Sequence, residues 1–260
     1  MIDQKNRGHL CSKRPDEIEK EYPYFYETHL HTNVSSACGK ATPEDMVDAC
    51  KAYGYTGIIV TDHNWGGNTS IDRKLPWPEF VDAYCDAYER AKKRGDEVGL
   101  SVFFGWEAGY NGTEFLIYGL DKEWMKAHPE IFTADIKEQY ALVHEGGGIV
   151  VHAHPFREEH YIPEVRLFPE YIDAVEGVNA THIGVNSEHG YTPEFDERAR
   201  EYAKKHSLPM TAGSDAHRTL IIGGGIRTNR KLKDIHDFTE MILSGEGYVL
   251  FDSVNYYYPR

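Results

Sequence analysis

Histidines and carboxylates gather at the ends of short apolar runs along this chain, in pairings that hold transition metals. HLHT carries His29 and His31, and GIIVTDH ends in Asp62 and His63. VFFGWEAG carries Glu107, GIVVHAHP carries His152 and His154, and TAGSDAH carries Asp215 and His217. Residues two apart on a strand share a face. His29 and His31 can therefore offer both imidazoles to one ion. His152 and His154 repeat the spacing, with one of them able to serve as a support. Asp215 and His217 repeat it with a carboxylate first. Mixed imidazole and carboxylate donors suit Zn, Mn or Fe better than Mg, which prefers oxygen throughout. Burying so many such groups without counter-charge would carry a heavy desolvation cost, and a polynuclear metal site removes it. Taken alone, any of these residues reads as ordinary. His9, His128, His144, His160, His182, His189, His206 and His236 are read as surface or hydrogen-bonded residues.

The elements that must position these groups alternate. Thr42 can cap a helix over 43–53, Pro43 suits its first turn and Gly54 stops it. A strand over 57–60 follows, then a helix over 79–94 and strands over 100–105 and 115–120, with Asn111-Gly112 as the turn between them. A helix over 133–145, strands over 148–153 and 174–179, a helix from Pro193 to about His206, a strand over 210–213, a helix over 234–243 and a strand over 248–251 complete the series. Continuously apolar strands alternating with helices predict a parallel sheet covered by helices, with the polar clusters where strands end. An open doubly wound sheet is the alternative, and no GxGxxG follows the first strand to support it. Residues 1–24 are polar and read as an N-terminal arm.

A chain of 260 residues can bury a large core. Its net charge of −14 argues against a sequence-independent grip on nucleic acid. No run approaches the roughly 18 apolar residues of a membrane span. No secretory leader is evident, and the 4 cysteines show no CxxC, so a cytoplasmic location is expected.

HLHT, TDHN, GWEAG, HAHP and SDAH resemble the successive motifs of the PHP (polymerase and histidinol phosphatase) family, from about Tyr26 to Val249. The resemblance implies a distorted TIM-like (β/α)7 barrel over residues 25–260, two or three divalent ions (Zn, Mn or Fe), and phosphoesterase activity. Some members of the family are proofreading nucleases beside DNA polymerases. Carried over by residue, the pattern places His29, His31, Glu107 and Asp215 on one ion. Glu107 would bridge to a second ion, also held by His154. A third would take His63, His217 and one residue of the loop after HLHT, with Asp62 orienting a neighbour or touching that site.

Two positions depart from the family. The loop after HLHT usually supplies His or Asp; here it reads SACGK, and Cys38 stands there. A thiolate suits Zn or Fe and poorly suits Mg or Mn. The alternative is that Cys38 is a small apolar filler. The family also tends to have a His at the start of the strand after the bridging Glu, where Glu114 is the substitute here.

Two ions roughly 3.5–4 Å apart can share a hydroxide that attacks phosphorus in line. Arg157 and Arg218, just past HAHP and SDAH, could hold phosphate oxygens; a solvated loop charge, or a salt bridge to Glu158 or Glu159, is the bland alternative. His217 or Asp62 could pass a proton to the leaving group. Trp65, Trp106, Tyr110 and Phe156 either stack on substrate or pack the barrel mouth. The stretch 66–77 could cover the metals, and GGG at 223–225 reads as a turn. The expected function is hydrolysis of a small-molecule phosphomonoester or phosphodiester. A nuclease, a hydrolase of a non-phosphate bond and a non-catalytic metal-binding scaffold are the alternatives. Nucleic acid is a less favoured partner, no membrane association is expected, and the oligomeric state is open.

Overall fold

The structure is a computed structural model and describes residues 10–183 and 190–260; His9 and His189 lie outside them. In chain order the elements are α1 (Pro15–Glu21), β1 (Tyr24–Glu27), α2 (Pro43–Tyr53), β2 (Gly57–Val60), α3 (Trp77–Val98), β3 (Ser101–Tyr110) and β4 (Thr113–Tyr118). There follow α4 (Lys122–Ala127), α5 (Ile136–Glu145), β5 (Ile149–Ala153), β6 (Ala174–Asn179), α6 (Pro193–His206) and β7 (Met210–Gly213). β8 (Gly225–Thr228), α7 (Ile235–Ser244), β9 (Tyr248–Phe251) and β10 (Tyr256–Tyr257) close the chain.

The strands form one ten-stranded sheet in the order β10-β9-β8-β1-β2-β3-β4-β5-β6-β7. It is mixed rather than parallel. β1, β2 and β3 pair in parallel, as do β5, β6 and β7, while β4 runs antiparallel to both β3 and β5. β8 and β10 are also reversed. Seven strands (β1, β2, β3, β5, β6, β7, β9) thus share one direction without a regular alternation with helices. The reason for β4 is local. Asn111 and Gly112 both take positive φ, 49° and 84°, which turns the chain back within two residues. No crossover helix fits so short a link.

The sheet curls until the chain just past β1 meets the chain just past β7. The His31 amide donates to the Ala216 carbonyl at 2.9 Å, and the Ala216 amide donates to the His29 carbonyl at 3.2 Å. This closure brings the first and last motifs together, although nearly two hundred residues separate them. Helices pack on the outside. Thr42 accepts from the Asp45 amide to start α2, and Gly54, at φ 107°, ends it in the left-handed conformation. Met46, Val47 and Cys50 on its inner face are buried. The polar N-terminal stretch contains α1, whose Ile18 packs against Val249 and Tyr256. Among the described residues no helix is long and apolar enough to cross a membrane.

Candidate metal centre

Glu107 stands at the middle of the site. It lies near the end of β3 and is wholly buried. Its Oε1 is 3.3 Å from His29 Nε2 and 3.1 Å from His154 Nε2. Its Oε2 is 2.7 Å from His63 Nδ1 and 3.5 Å from His31 Nε2. Asp215 closes the far side, with Oδ1 3.1 Å from His31 Nε2 and 3.4 Å from His29 Nε2. Glu114, on β4, lies 3.7 Å from His63 Nδ1 and 3.5 Å from His154 Nε2. His217 stacks on His31 with ring centroids 4.4 Å apart, and His63 stacks on His31 at the same separation.

Among the described residues, four overlapping triads have donor atoms within 4.8 Å of one another: His29–His31–Glu107, His29–His154–Asp215, His63–Glu107–Glu114 and His31–His63–His217. The donor set fits divalent metal. His63 Nδ1 and Glu107 Oε2 are buried, 2.7 Å apart, and yet neither finds a hydrogen-bond partner. Buried polar atoms left so poorly aligned call for a further partner, and a cation shared by the two would supply it. The left-handed backbone at two of these residues points the same way: φ is 26° at His154 and 51° at Asp215. Non-glycine residues are held there only where the surroundings enforce it.

The electrostatics follow from crowding. Burial pushes the Glu114 carboxyl up to about 7, and the Glu107 charge adds to the rise. Burial would raise Glu107 too, but His63 and His29 outweigh it and hold that carboxyl well below the usual range. His29 is pushed down by burial, and Asp215, Glu176 and Glu107 more than reverse this. Cys38 is raised by burial but brought down to about 6 by hydrogen bonds with His217 and His63. The thiol therefore faces the two imidazoles expected of a third ion.

Other expected residues sit differently. Asp62 is occupied: Oδ1 accepts from the Thr32 amide and the Ser36 hydroxyl, both at 2.6 Å, and Oδ2 accepts from the Thr32 hydroxyl at 2.8 Å. It folds the loop after His31 rather than joining the triads. Arg157 is buried and donates to Asp215 Oδ2 at 2.6 Å. Arg218 is exposed and lies outside the lining of the cavity. His152 departs from the strand-face expectation. It stacks on Phe115 at 4.9 Å, away from the triads, because the backbone turns left-handed at His154. Trp106 and Trp65 are packing residues in the core, whereas Tyr110 lines the cavity.

That cavity holds about 500 Å³ and opens over His63, Glu107, Glu114, His154 and His217, with Arg157 and Tyr161 in its wall. Gly66 and Gly67, in the stretch after TDHN, form part of its lining. They press on Gly109 so closely that a Cβ on Gly66 would lie 2.3 Å from the Gly109 carbonyl oxygen. The stretch is pinned: the Ala37 amide donates to the Asn68 carbonyl, and Arg73 donates to the Trp65 and Gly67 carbonyls.

Three supporting residues escaped the sequence reading. Glu176 accepts from His29 Nδ1 at 2.9 Å and from the His154 amide at 3.0 Å. Glu27 accepts from the amides of His29 and Ser214. Ser36 lies 3.2 Å from His31 Nδ1. A carboxylate inside an apolar strand, as in AVEGVN and YFYE, was the available signal for two of them.

The fold and the site place the chain in a class: it belongs to the PHP domain family, whose model matches residues 27–250. Among solved structures it is similar to a two-domain protein from Bacteroides vulgatus containing a predicted PHP-like metal-dependent phosphoesterase. The identity is 14%, the TM-score 0.63, and the match covers 88% of this chain and 64% of that one. It is also similar to a protein from Bifidobacterium adolescentis given provisionally as a metal-dependent phosphoesterase (16% identity, TM-score 0.51, 75% and 88% covered). An amidohydrolase from Chromobacterium violaceum gives 14% identity and a TM-score of 0.50 over 74% of this chain and 87% of that one. At such identities the likeness establishes the fold. No curated protein is similar enough to count as a match.

Proposed function

We propose that this protein is a metal-dependent phosphoesterase acting on a small phosphorylated molecule. The observation that carries the reading is Glu107, whose two oxygens each face two imidazoles from different parts of the chain. His29, His31, Glu107 and Asp215 would hold one divalent ion, and Glu107 and His154 a second, with Glu114 beside it. His63 and His217, with Cys38, would hold a third. Zn, Mn and Fe all suit these donors, and the thiolate favours Zn or Fe at the third position. Bound there, divalent metal supplies an acidified water and neutralises phosphate charge.

The chain's own residues do the rest. Arg157, at the cavity wall, would orient a phosphoryl oxygen. His217 would serve the third ion rather than the leaving oxygen, since its Nδ1–H is given to the Asp215 carbonyl at 2.9 Å and its other ring nitrogen is the one left to ligate. Asp62 supports both His31 and the loop carrying Cys38, so its catalytic part is indirect. Arg218 would act only on the outer end of a substrate. The glycine wall and the cavity size suit a compact monoester or diester, and the acidic surface does not favour a polynucleotide. Residues 25–260 would form the hydrolase domain, of the (β/α)7 barrel kind, with residues 1–24 as an arm, in a cytoplasmic protein.

The test is a panel of phosphomonoesters, phosphodiesters, carboxylic esters and amides after reconstitution with Mn, Zn or Fe, with His31→Ala as the blank. Phosphoester turnover that needs both metal and His31 supports the reading. Turnover of amides alone moves the protein to C–N hydrolysis, cleavage of oligonucleotides alone to a nuclease, and no turnover at all to a metal-binding scaffold.

A further inference from the structure

A buried histidine–aspartate pair lies behind the site and is not among its metal donors. His182 follows β6 in a single tight turn, and Asp196 lies on α6. Both are shielded from solvent, at 0% and 1% exposure. His182 Nδ1 is 2.6 Å from Asp196 Oδ1. On its other side His182 Nε2 is 3.2 Å from Arg157 Nε. Arginine can only donate, so Nε2 must present its lone pair. A carboxylate accepts, so Nδ1 must carry the proton. Both neighbours therefore select one state of His182, the neutral Nδ1–H tautomer.

That state has a consequence at the cavity. Arginine beside a carboxylate tends to close a two-pronged fork on it. Here only Arg157 Nη2 reaches Asp215, at 2.6 Å on Oδ2, and the Nε–H is drawn back to His182. Thr181, 3.4 Å from Nη2, holds the same edge. The rest of the guanidinium lies in the cavity wall beside Tyr161. We propose that Asp196 and His182 are positioning residues that keep Arg157 from collapsing onto Asp215, so that one face of its fork stays presented to the phosphoryl group of a substrate. The inference rests on the phosphoester reading of the cavity. It adds to that reading the device that orients the phosphate-binding side chain.

The test has two arms on the metal-loaded full chain. In the first, ¹⁵N NMR of the unmodified protein reads the His182 tautomer; Nδ1–H is expected, and Nε2–H or imidazolium overturns the proposal. In the second, inorganic phosphate affinity and metal content are measured together. His182→Ala should weaken phosphate by about 10-fold or more, the scale of a lost hydrogen bond to a charged group, at unchanged metal content. His182→Gln, whose amide can donate to Asp196 and accept from Arg157, should restore most of it. Equal phosphate affinity in His182→Ala, no phosphate binding by the unmodified protein, no rescue by Gln, or metal lost in step with phosphate each overturns it. If His182→Ala does not fold, the tautomer still decides. Absence of ester turnover with phosphate binding and tautomer as expected would sink the phosphoesterase reading alone.

Discussion

His29 and His31 bring their Nε2 atoms to within 3.1 Å of one another. Each has its other ring nitrogen committed: His29 Nδ1 to Glu176, and His31 Nδ1 to Ser36, whose hydroxyl proton goes on to Asp62. When both rings are neutral, two lone pairs face each other inside a dry site. In the metal-free protein a proton held on His29, against burial, by Asp215, Glu176 and Glu107 can bridge the pair; a shared cation replaces that proton and bonds both rings at once. Metal should therefore stabilise the fold. At a free concentration 100 times the dissociation constant, the gain is about 2.7 kcal/mol. For a chain of this size that is a rise in Tm of roughly 5–10 °C. Thermal melts with and without chelator should show it, and melts that coincide would remove the metal centre.

Metal loading should also weaken as the pH falls. Imidazoles must be unprotonated to ligate, so protons compete with the ion. Against the pull of burial, the neighbouring carboxylates hold His29 and His63 well above the ordinary histidine value of about 6.5, so protons compete and the loss sets in already above that pH. Equilibrium dialysis of Zn or Mn between pH 5 and 8 measures it. Flat loading across that range would mean that carboxylates alone hold the metal.

Glu176 is the main support of His29 and also takes the His154 amide. Replacing such an outer partner of a ligating histidine typically costs 10–100-fold in metal affinity. Glu176→Gln should show a loss of about that size while the melting temperature of the metal-free protein changes little. A change confined to the metal-free melt would assign Glu176 to folding only.

Cys38 stands where the resemblance to the family's motifs leads one to expect His or Asp. Cobalt loaded into the protein should give a near-ultraviolet thiolate-to-cobalt band that Cys38→Ser abolishes. The same substitution should lower Zn relative to Mn in competition dialysis, since the hydroxyl is the harder donor. An unchanged spectrum would make Cys38 a filler.

Gly109 meets the cavity-lining loop without clearance: a Cβ there would lie 2.7 Å from the Gly67 Cα. Gly109→Ala should destabilise the protein by about 1–3 kcal/mol, the usual cost of forcing a methyl into a packed contact. Chemical denaturation checks it, and because the loop also lines the cavity, KM should rise more than kcat falls.

Much of this was readable from local pattern. A capping threonine, a proline and a terminal glycine marked α2 to the residue, since those signals act within one turn of chain. The HxH and DxH spacings placed donors on strand ends because the strand period is local. The sheet's mixed direction was not readable, although Asn111-Gly112 marked the turn. β4 is as apolar as the strands that pair in parallel, and nothing in its composition states which way it runs.

The donor types, the short motifs and the places where strands stop were properties of the linear chain. The curl of the sheet decided which buried groups meet. It set His29 against Glu176, 147 residues away, and Arg157 against both His182 and Asp215. A left-handed turn of the backbone at His154 kept that ring in the site while His152 faces Phe115. A polar side chain buried from water must find a partner. Periodicity shows only that the partner is needed, and the closure of β1 onto β7 supplies it.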